Sequence, residues 1–200
     1  MKKLSLFVFA AFMFSICCCA STKVKRVDSN STTDLSGYWN DTDVRIVSDS
    51  LIEQCLSAGW YNEFRTEKGK KPIIIVGDFR NLSDEHMDTS IISKKIEISL
   101  INSGKVTSVA NSSERGEIRK ERDDQQINSS VETAKNLGNE TAADFMLQGT
   151  VKTIIDSNGK KSTRSYFVTA ELVNMESNEK VWLGENDEIK KLIKRSSVRM

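Results

Sequence analysis

The chain has 200 residues, of which 38% are apolar and 28% are charged, and its formal net charge is +1. This length suits one domain with a short appendage, and the near balance of charge excludes the basic excess that is typical of nucleic-acid binding. With one histidine, four cysteines and no GxGxxG or P-loop spacing, the sequence predicts no metal site and no cofactor.

The first twenty residues have the pattern of an export signal that ends in a lipobox. Two lysines and an apolar run of about a dozen residues, too short to span a membrane, lead to Ile16 and the adjacent cysteines Cys17 to Cys19. A lipobox is an apolar residue, two small residues and a Cys that becomes lipidated. Cys19 fits best, because Ile16 lies three positions before it, and Cys18 is second, with Ser15 in that place. The alternative is an ordinary signal peptide with incidental thiols.

Three segments follow from this pattern. We predict a signal peptide over residues 1–18, a lipidated flexible tether over residues 19–36 and a globular domain over residues 37–200. The tether is rich in Ser, Thr, Asn and Asp and cannot bury enough apolar surface to offset its ordering entropy. Its r.m.s. span should be on the order of 20–25 Å. Removal of residues 1–18 takes away two lysines and no acidic residue, which leaves 27 basic and 28 acidic side chains and a charge of −1.

The first half of the domain has the pattern of a β-α-β unit. We expect a helix capped by Thr42 or Asp43 that runs to about Trp60, and then a charged loop over residues 62–71. The β-branched run 72–79 predicts a strand buried on both faces. A polar loop over residues 80–87 leads to a helix that is capped by Asp88 or Thr89 and ends at Asn102, before Ser103-Gly104. Its inward residues should be Ile91, Ile92, Ile96 and Leu100, and residues 106–109 should form a second, parallel strand.

The second half predicts an antiparallel meander. Residues 112–126 are almost wholly charged and indicate a solvated helix, and Ser129 with Glu132 predicts a capped helix to Leu137. Strands are expected over residues 143–156, 164–174 and from 180 towards 192, joined by turns at Asn158-Gly159 and at residues 176–178. The predicted class is therefore α/β (α+β), with a single mixed β-sheet and helices packed on it.

One loop carries a candidate functional cluster. Asp78, Asp84, Glu85, His86 and Asp88 surround the end of the first buried strand, which is where ligands bind in open α/β sheets. The alternative is a network of turns and caps, in which Asp88 caps the following helix and Asp84 shapes the turn.

Two other features have a structural explanation. Cys55 lies on the apolar face of the first helix and should be a buried small hydrophobe. The basic C-terminus should be a solvated edge or a frayed tail, or alternatively a surface that docks an acidic partner or anionic lipid headgroups. Its residues are Lys190, Lys191, Lys194, Arg195 and Arg199.

Several stretches, taken in order, resemble the LpoB family of outer-membrane lipoproteins that activate penicillin-binding proteins. They are Gly37–Asp43, Val76–Asn81, Glu85–Thr89, Leu137–Gly149, Tyr166–Leu172 and Lys180–Trp182. The resemblance covers residues 36–194 and implies a fold like the TolB N-terminal domain, no enzymatic activity, and docking on a class A penicillin-binding protein. The best-known members have a long proline-rich tether, whereas residues 19–36 are short and contain no proline. The resemblance assigns no docking residue.

We therefore expect a lipid-anchored periplasmic protein that binds and activates a peptidoglycan synthase. Ala20 after Cys19, rather than Asp, lacks an inner-membrane retention signal and favours the outer membrane. The main alternative is an envelope assembly or transport lipoprotein of the TolB or CsgG type. The third hypothesis is a hydrolase that uses the loop from Asp78 to Asp88.

Overall fold

The computed structural model describes residues 22–130, 133 and 140–194. The chain divides into two units, residues 1–31 and residues 32–200. The described part of the first unit contains a turn in which the Ser31 amide donates to the Asp28 carbonyl at 3.0 Å. The predicted lipidation site, Cys19, lies outside the described residues, as does most of the helix predicted to end at Leu137. The division into signal peptide, tether and domain stays a prediction.

Two helices open the second unit, α1 (Asp41–Ser57) and α2 (Trp60–Lys68). The predicted loop over residues 62–71 is wrong, because α2 occupies most of it. Trp60 and Phe64 are one turn apart and both rings pack against Phe145, with centroid distances of 5.7 and 5.2 Å. Gly69 ends α2 in the left-handed conformation, and its amide donates to the Arg65 carbonyl at 3.0 Å.

The first helix is capped by Asn40 and not by the predicted Thr42 or Asp43. The Asn40 side chain accepts hydrogen bonds from the Thr42 and Asp43 amides at 3.0 and 3.2 Å. The Asp43 carboxylate accepts the Asn40 amide at 2.9 Å, which completes a capping box. Cys55, on the inner face of α1, is buried as predicted.

The predicted β-α-β unit is confirmed. It consists of β1 (Ile73–Asn81), α3 (Ser90–Asn102) and β2 (Thr107–Val109), and β2 pairs with β1 in parallel. The predicted burial of β1 on both faces is wrong, because the side chains of Asp78 and Arg80 are exposed. Ile91 is also not inward: it is 49% exposed, whereas Ile92, Ile96 and Leu100 are buried. At 100° per residue, Ile91 points 100–180° away from those three side chains.

The antiparallel meander is also confirmed. The fourth helix, α4 (Ser112–Asn128), has no buried residue, in agreement with the predicted solvated helix. The strands β3 (Phe145–Ser157), β4 (Lys161–Asn174) and β5 (Lys180–Asn186) pair in order, and the described sheet runs β2-β1-β3-β4-β5. A separate strand, β6 (Lys190–Lys194), pairs with residues 161–165 of β4, and β5 pairs with residues 168–173. The long strand β4 therefore holds β5 and β6 one after the other along the same edge.

The core lies between one face of this mixed sheet and the helices α1 and α3. Alternation along β4 buries Tyr166, Val168, Ala170 and Leu172, as the sequence predicted. Gly149 of β3 leaves room for an aromatic ring: a Cβ atom there would lie 2.3 Å from the Phe79 ring. None of the helices within the described ranges has the length and apolarity needed to cross a bilayer.

Candidate functional site

The loop between β1 and α3 folds inward onto β4 through an ion-pair cluster. Its buried members are Glu85, Arg164 and Tyr166, and Asp84 lies at its exposed edge. Arg164 Nη1 donates to Glu85 Oε1, and both side chains are nearly inaccessible, with exposures of 8% and 6%. Arg164 Nη2 donates to Asp84 Oδ2 at 2.9 Å. The Tyr166 hydroxyl donates to Glu85 Oε1 at 2.5 Å, and burial raises the pKa of Tyr166 well above its usual value. One guanidinium thus serves two carboxylates.

Two adjacent aromatic residues at the start of the domain, Tyr38 and Trp39, complete this cluster from outside. They belong to residues 34–40, which we call the N-terminal strap. The Trp39 amide donates to Glu85 Oε2 at 2.9 Å, and its ring lies 5.1 Å from the Tyr166 ring. The Tyr38 ring covers Arg164, with 4.7 Å between the ring centroid and the guanidinium carbon. The strap is therefore held by the same charges that hold the β1–α3 loop.

A second buried cation fixes the other end of the strap. Lys191 Nζ lies 2.6 Å from the Asp43 carboxylate, 2.8 Å from the Asp34 carboxylate and 2.8 Å from the Tyr38 carbonyl oxygen. The Lys191 hydrogen bond lowers the pKa of Asp34 below its ordinary value. Burial raises the pKa of Asp43, although the hydrogen bonds from Lys191 and Asn40 oppose this shift.

The predicted basic C-terminus is therefore only partly a solvated edge. Lys190 and Lys194 are exposed on β6, but the Lys191 side chain is 9% exposed and forms the ion pairs just described. Alternation along β6 turns Lys191 to the opposite side of the strand from its neighbours. Arg195 and Arg199 lie outside the described residues.

The strap, the β1–α3 loop and the first turns of α1 and α3 enclose a pocket of about 630 Å³. We call it the strap pocket. Its apolar lining consists of Tyr38, Trp39, Val44, Met87 and Ile91. Carboxylates and cations from the same elements line the rest of it, including Asp41, Asp84, Asp88 and Lys95. Its volume is in the range of ordinary ligand and anchor pockets in proteins.

The structure divides the predicted loop cluster. Asp84, Glu85, His86 and Asp88 all line the strap pocket, whereas Asp78 is exposed on β1 and is not among the pocket residues. Asp88 accepts the Ser90 amide at 2.9 Å at the start of α3, as the capping interpretation predicted. Asp84 engages Arg164 and Thr153. These contacts favour the network of turns and caps over a hydrolytic site.

The Glu85 carboxylate in the pocket is engaged in contacts that hold the fold together. Its Oε1 accepts from Arg164 and from the Tyr166 hydroxyl, and its Oε2 accepts from the Trp39 amide. The described residues contain no group of three or more His, Cys, Asp or Glu side chains placed to hold a metal ion. Cys55 is also unsuited to nucleophilic chemistry, because burial raises its pKa to about 12.

Sequence reasoning missed Arg164 and the buried position of Lys191, and these two cations organise the site. A signal was present for Arg164, since the alternation that buries Tyr166 and Val168 places Arg164 on the same face of β4. A basic residue in phase with buried apolar ones predicts a buried ion pair, but its partners are about eighty positions away in the sequence. Nothing local indicated the partners of Lys191.

Comparison with known proteins shows the family through one family model. The family model described as peptidoglycan-synthase activator LpoB matches residues 43–187, more than half of the chain. Among solved structures, the C-terminal domain of LpoB from Salmonella enterica is 15% identical, with 76% of this chain and 99% of that chain covered and a TM-score of 0.42. Lipoprotein GNA1162 from Neisseria meningitidis is 13% identical, with coverages of 64% and 88% and a TM-score of 0.39. No curated protein sequence matches the chain.

Proposed function

Because the chain belongs to the family of the peptidoglycan-synthase activator LpoB, we propose that it binds a class A penicillin-binding protein and activates it in cell-wall synthesis. The observation that carries this proposal is the extent of the family match. It runs from the first turn of α1 to the end of β5, so it includes the sheet, the helices and the β1–α3 loop. The pocket offers a concave, partly apolar surface for binding, which agrees with an activator.

The proposed mechanism is a shift of the synthase towards its active conformation. A bound protein shifts such an equilibrium only by its difference in affinity for the two states. An activation of about tenfold therefore requires at least a tenfold preference for the active state, or about 1.4 kcal/mol. The chain would do this as a rigid ligand, because its strap and loop are tied to the sheet by Arg164 and Lys191.

The proposed location is the periplasmic side of the outer membrane. Export by residues 1–18 and lipidation of Cys19 would attach the domain through the short tether of residues 19–36. This proposal is supported by the lipobox pattern and by Ala20 after Cys19. A tether of this length requires that the synthase extend to the anchoring membrane or lie close to it.

The direct test of activation is a glycan-polymerisation assay with each class A penicillin-binding protein from the same bacterium. The mature protein, added in increasing amounts, should raise the rate of polymerisation in a saturable way. A sample of the same protein unfolded by heat serves as the control. If no synthase is bound and none is accelerated, the proposed function is wrong.

The anchor has a separate test. Cys19→Ala should leave activation of the purified synthase unchanged, because the residue lies outside the folded unit of residues 32–200. In cells the same variant should lose function, since the protein would no longer be held at the membrane. Cys18→Ala is the matched control and should behave like the wild type. Full function of Cys19→Ala in cells would show that lipidation at this residue is not required.

A further inference from the structure

We propose that the strap pocket, together with the outer face of α3, is the surface that docks the synthase, and that it receives an apolar side chain flanked by a lysine or arginine. This inference rests on the proposed function and names the binding face, which the family resemblance leaves open. The pocket is bordered by residues from five separate parts of the chain: the strap, α1, the β1–α3 loop, α3 and Arg164 of β4.

The apolar character of the surface is the first argument. Tyr38 is 53% exposed and Ile91 is 49% exposed, although both border a concave site with Val44 at its base. Apolar side chains in a concave surface gain more by burial than isolated ones on a convex surface, because a single inserted group covers several of them. The pocket therefore has the form of an anchor site.

The second argument decides between a small molecule and a protein segment. Ile98 is 51% exposed and lies seven residues after Ile91, which places both on the same face of α3. The apolar strip therefore continues beyond the pocket, and Ile98 is not among the pocket residues. A small ligand that fills the pocket would leave Ile98 uncovered, whereas a helix or loop of a partner protein would cover both isoleucines.

The third argument is the charge of the rim. Four carboxylates line the pocket, against the two cations Lys95 and Arg164. Arg164 is already shared between Asp84 and Glu85. The ion pairs formed within the described residues include no cation for Asp41 or for Asp88. A cation next to the apolar anchor is complementary to this rim, and an acidic segment is repelled by it.

Preorganisation is the fourth argument. The wall of the pocket is fixed before any partner arrives, by the Glu85 contact to the Trp39 amide and by the Lys191 contact to the Tyr38 carbonyl. A wall that is already ordered loses little conformational entropy on binding. Binding energy is therefore available for the partner.

The test uses matched pairs of variants in the mature full-length protein. Ile91→Gln removes the apolar wall of the pocket. Leu183→Gln is its control, because Leu183 is on β5, away from α3, is 65% exposed and is not among the pocket residues. Asp41→Asn removes a rim charge, and Asp49→Asn is its control, an exposed acid two turns further along α1.

Binding to the purified class A penicillin-binding proteins is measured by biolayer interferometry at two salt concentrations, and the melting temperature of each variant verifies folding. We expect Ile91→Gln to weaken binding about tenfold. We expect Asp41→Asn to lower the association rate about threefold and to reduce its salt dependence. Both control variants should bind like the wild type.

Three results would overturn the inference. The first is equal binding by Ile91→Gln and Leu183→Gln while the wild type still activates the synthase, which would leave the proposed function intact. The second is a wild-type dimer that Ile91→Gln converts to a monomer, since the strip would then be a contact between two copies. The third is a wild type that binds no synthase, in which case the proposed function fails as well.

Discussion

Replacement of Arg164 by alanine is the most informative perturbation of the buried ion-pair cluster. The Arg164 and Glu85 side chains are 8% and 6% exposed, so removal of the guanidinium leaves a buried carboxylate without a cation. Loss of one partner of a buried pair costs about 3–5 kcal/mol. The Tyr38 ring also loses its cation, an interaction worth about 0.5–2 kcal/mol that overlaps with the first loss. We expect the free energy of unfolding to fall by about 3–5 kcal/mol.

Equilibrium unfolding in urea, followed by tryptophan fluorescence, measures this loss as a shift of the midpoint at unchanged slope. The control is Arg119→Ala, which breaks a pair with Glu140 in which the side chains are 59% and 29% exposed and should cost at most about 1 kcal/mol. The double variant Arg164→Met, Glu85→Gln should be more stable than Arg164→Ala, because it leaves no unpaired charge buried. Equal losses in Arg164→Ala and Arg119→Ala would refute the reasoning.

Three further predictions concern the core and the strap. Gly149→Ala should destabilise the domain by more than about 2 kcal/mol, because its methyl group would overlap the adjacent aromatic ring. Gly116→Ala in α4, with open space around it, should stabilise the domain by about 0.5–1 kcal/mol. Urea unfolding measures both changes, and similar effects of the two variants would contradict the packing argument. Burial raises the pKa of Cys55 to about 12, so Cys55 should resist alkylation by iodoacetamide at pH 8 in the native protein and react after the protein is unfolded. Rapid labelling of the native protein would show that the site opens. The Asp34 carboxylate should titrate below its ordinary value of 3.8 in an NMR experiment and move back towards that value in Lys191→Met. Because the folded pKa of Asp34 is lowered, its contribution to stability is present above the unfolded pKa and is lost as the pH falls through the folded pKa. An unshifted pKa of Asp34 in the wild type would exclude the ion pair with Lys191 in solution.

The local rules that succeeded are those in which neighbouring residues decide the structure. Alternation predicted the buried face of β4, Asn158-Gly159 predicted the hairpin, and Ser103-Gly104 predicted the end of α3. The wrong prediction of a loop over residues 62–71 has a long-range cause. The helix α2 is stabilised by packing of Trp60 and Phe64 against a strand some eighty residues away, and nothing in its charged sequence indicates that contact.

The sequence predicted the location of the candidate site but not its role. Because the loop follows the carboxyl end of a parallel strand, its position beside a concavity could be expected from the topology. The role of the loop could not be predicted, because the sequence does not show whether its carboxylates are free or paired with a cation. The pairing of Asp84 and Glu85 with Arg164 makes the loop part of a rigid wall, where sequence alone also allowed a hydrolytic site.

The sequence by itself determined the order and type of most elements, the family, and the predicted lipobox at Cys19, because these depend on patterns over short distances along the chain. The tertiary structure alone decided the strap pocket. Its wall joins the N-terminal strap to Arg164 and Lys191, from parts of the chain more than 120 positions away from it. Buried ion pairs of this kind depend on which side chains meet out of water, and only the packed sheet and helices bring those charges together.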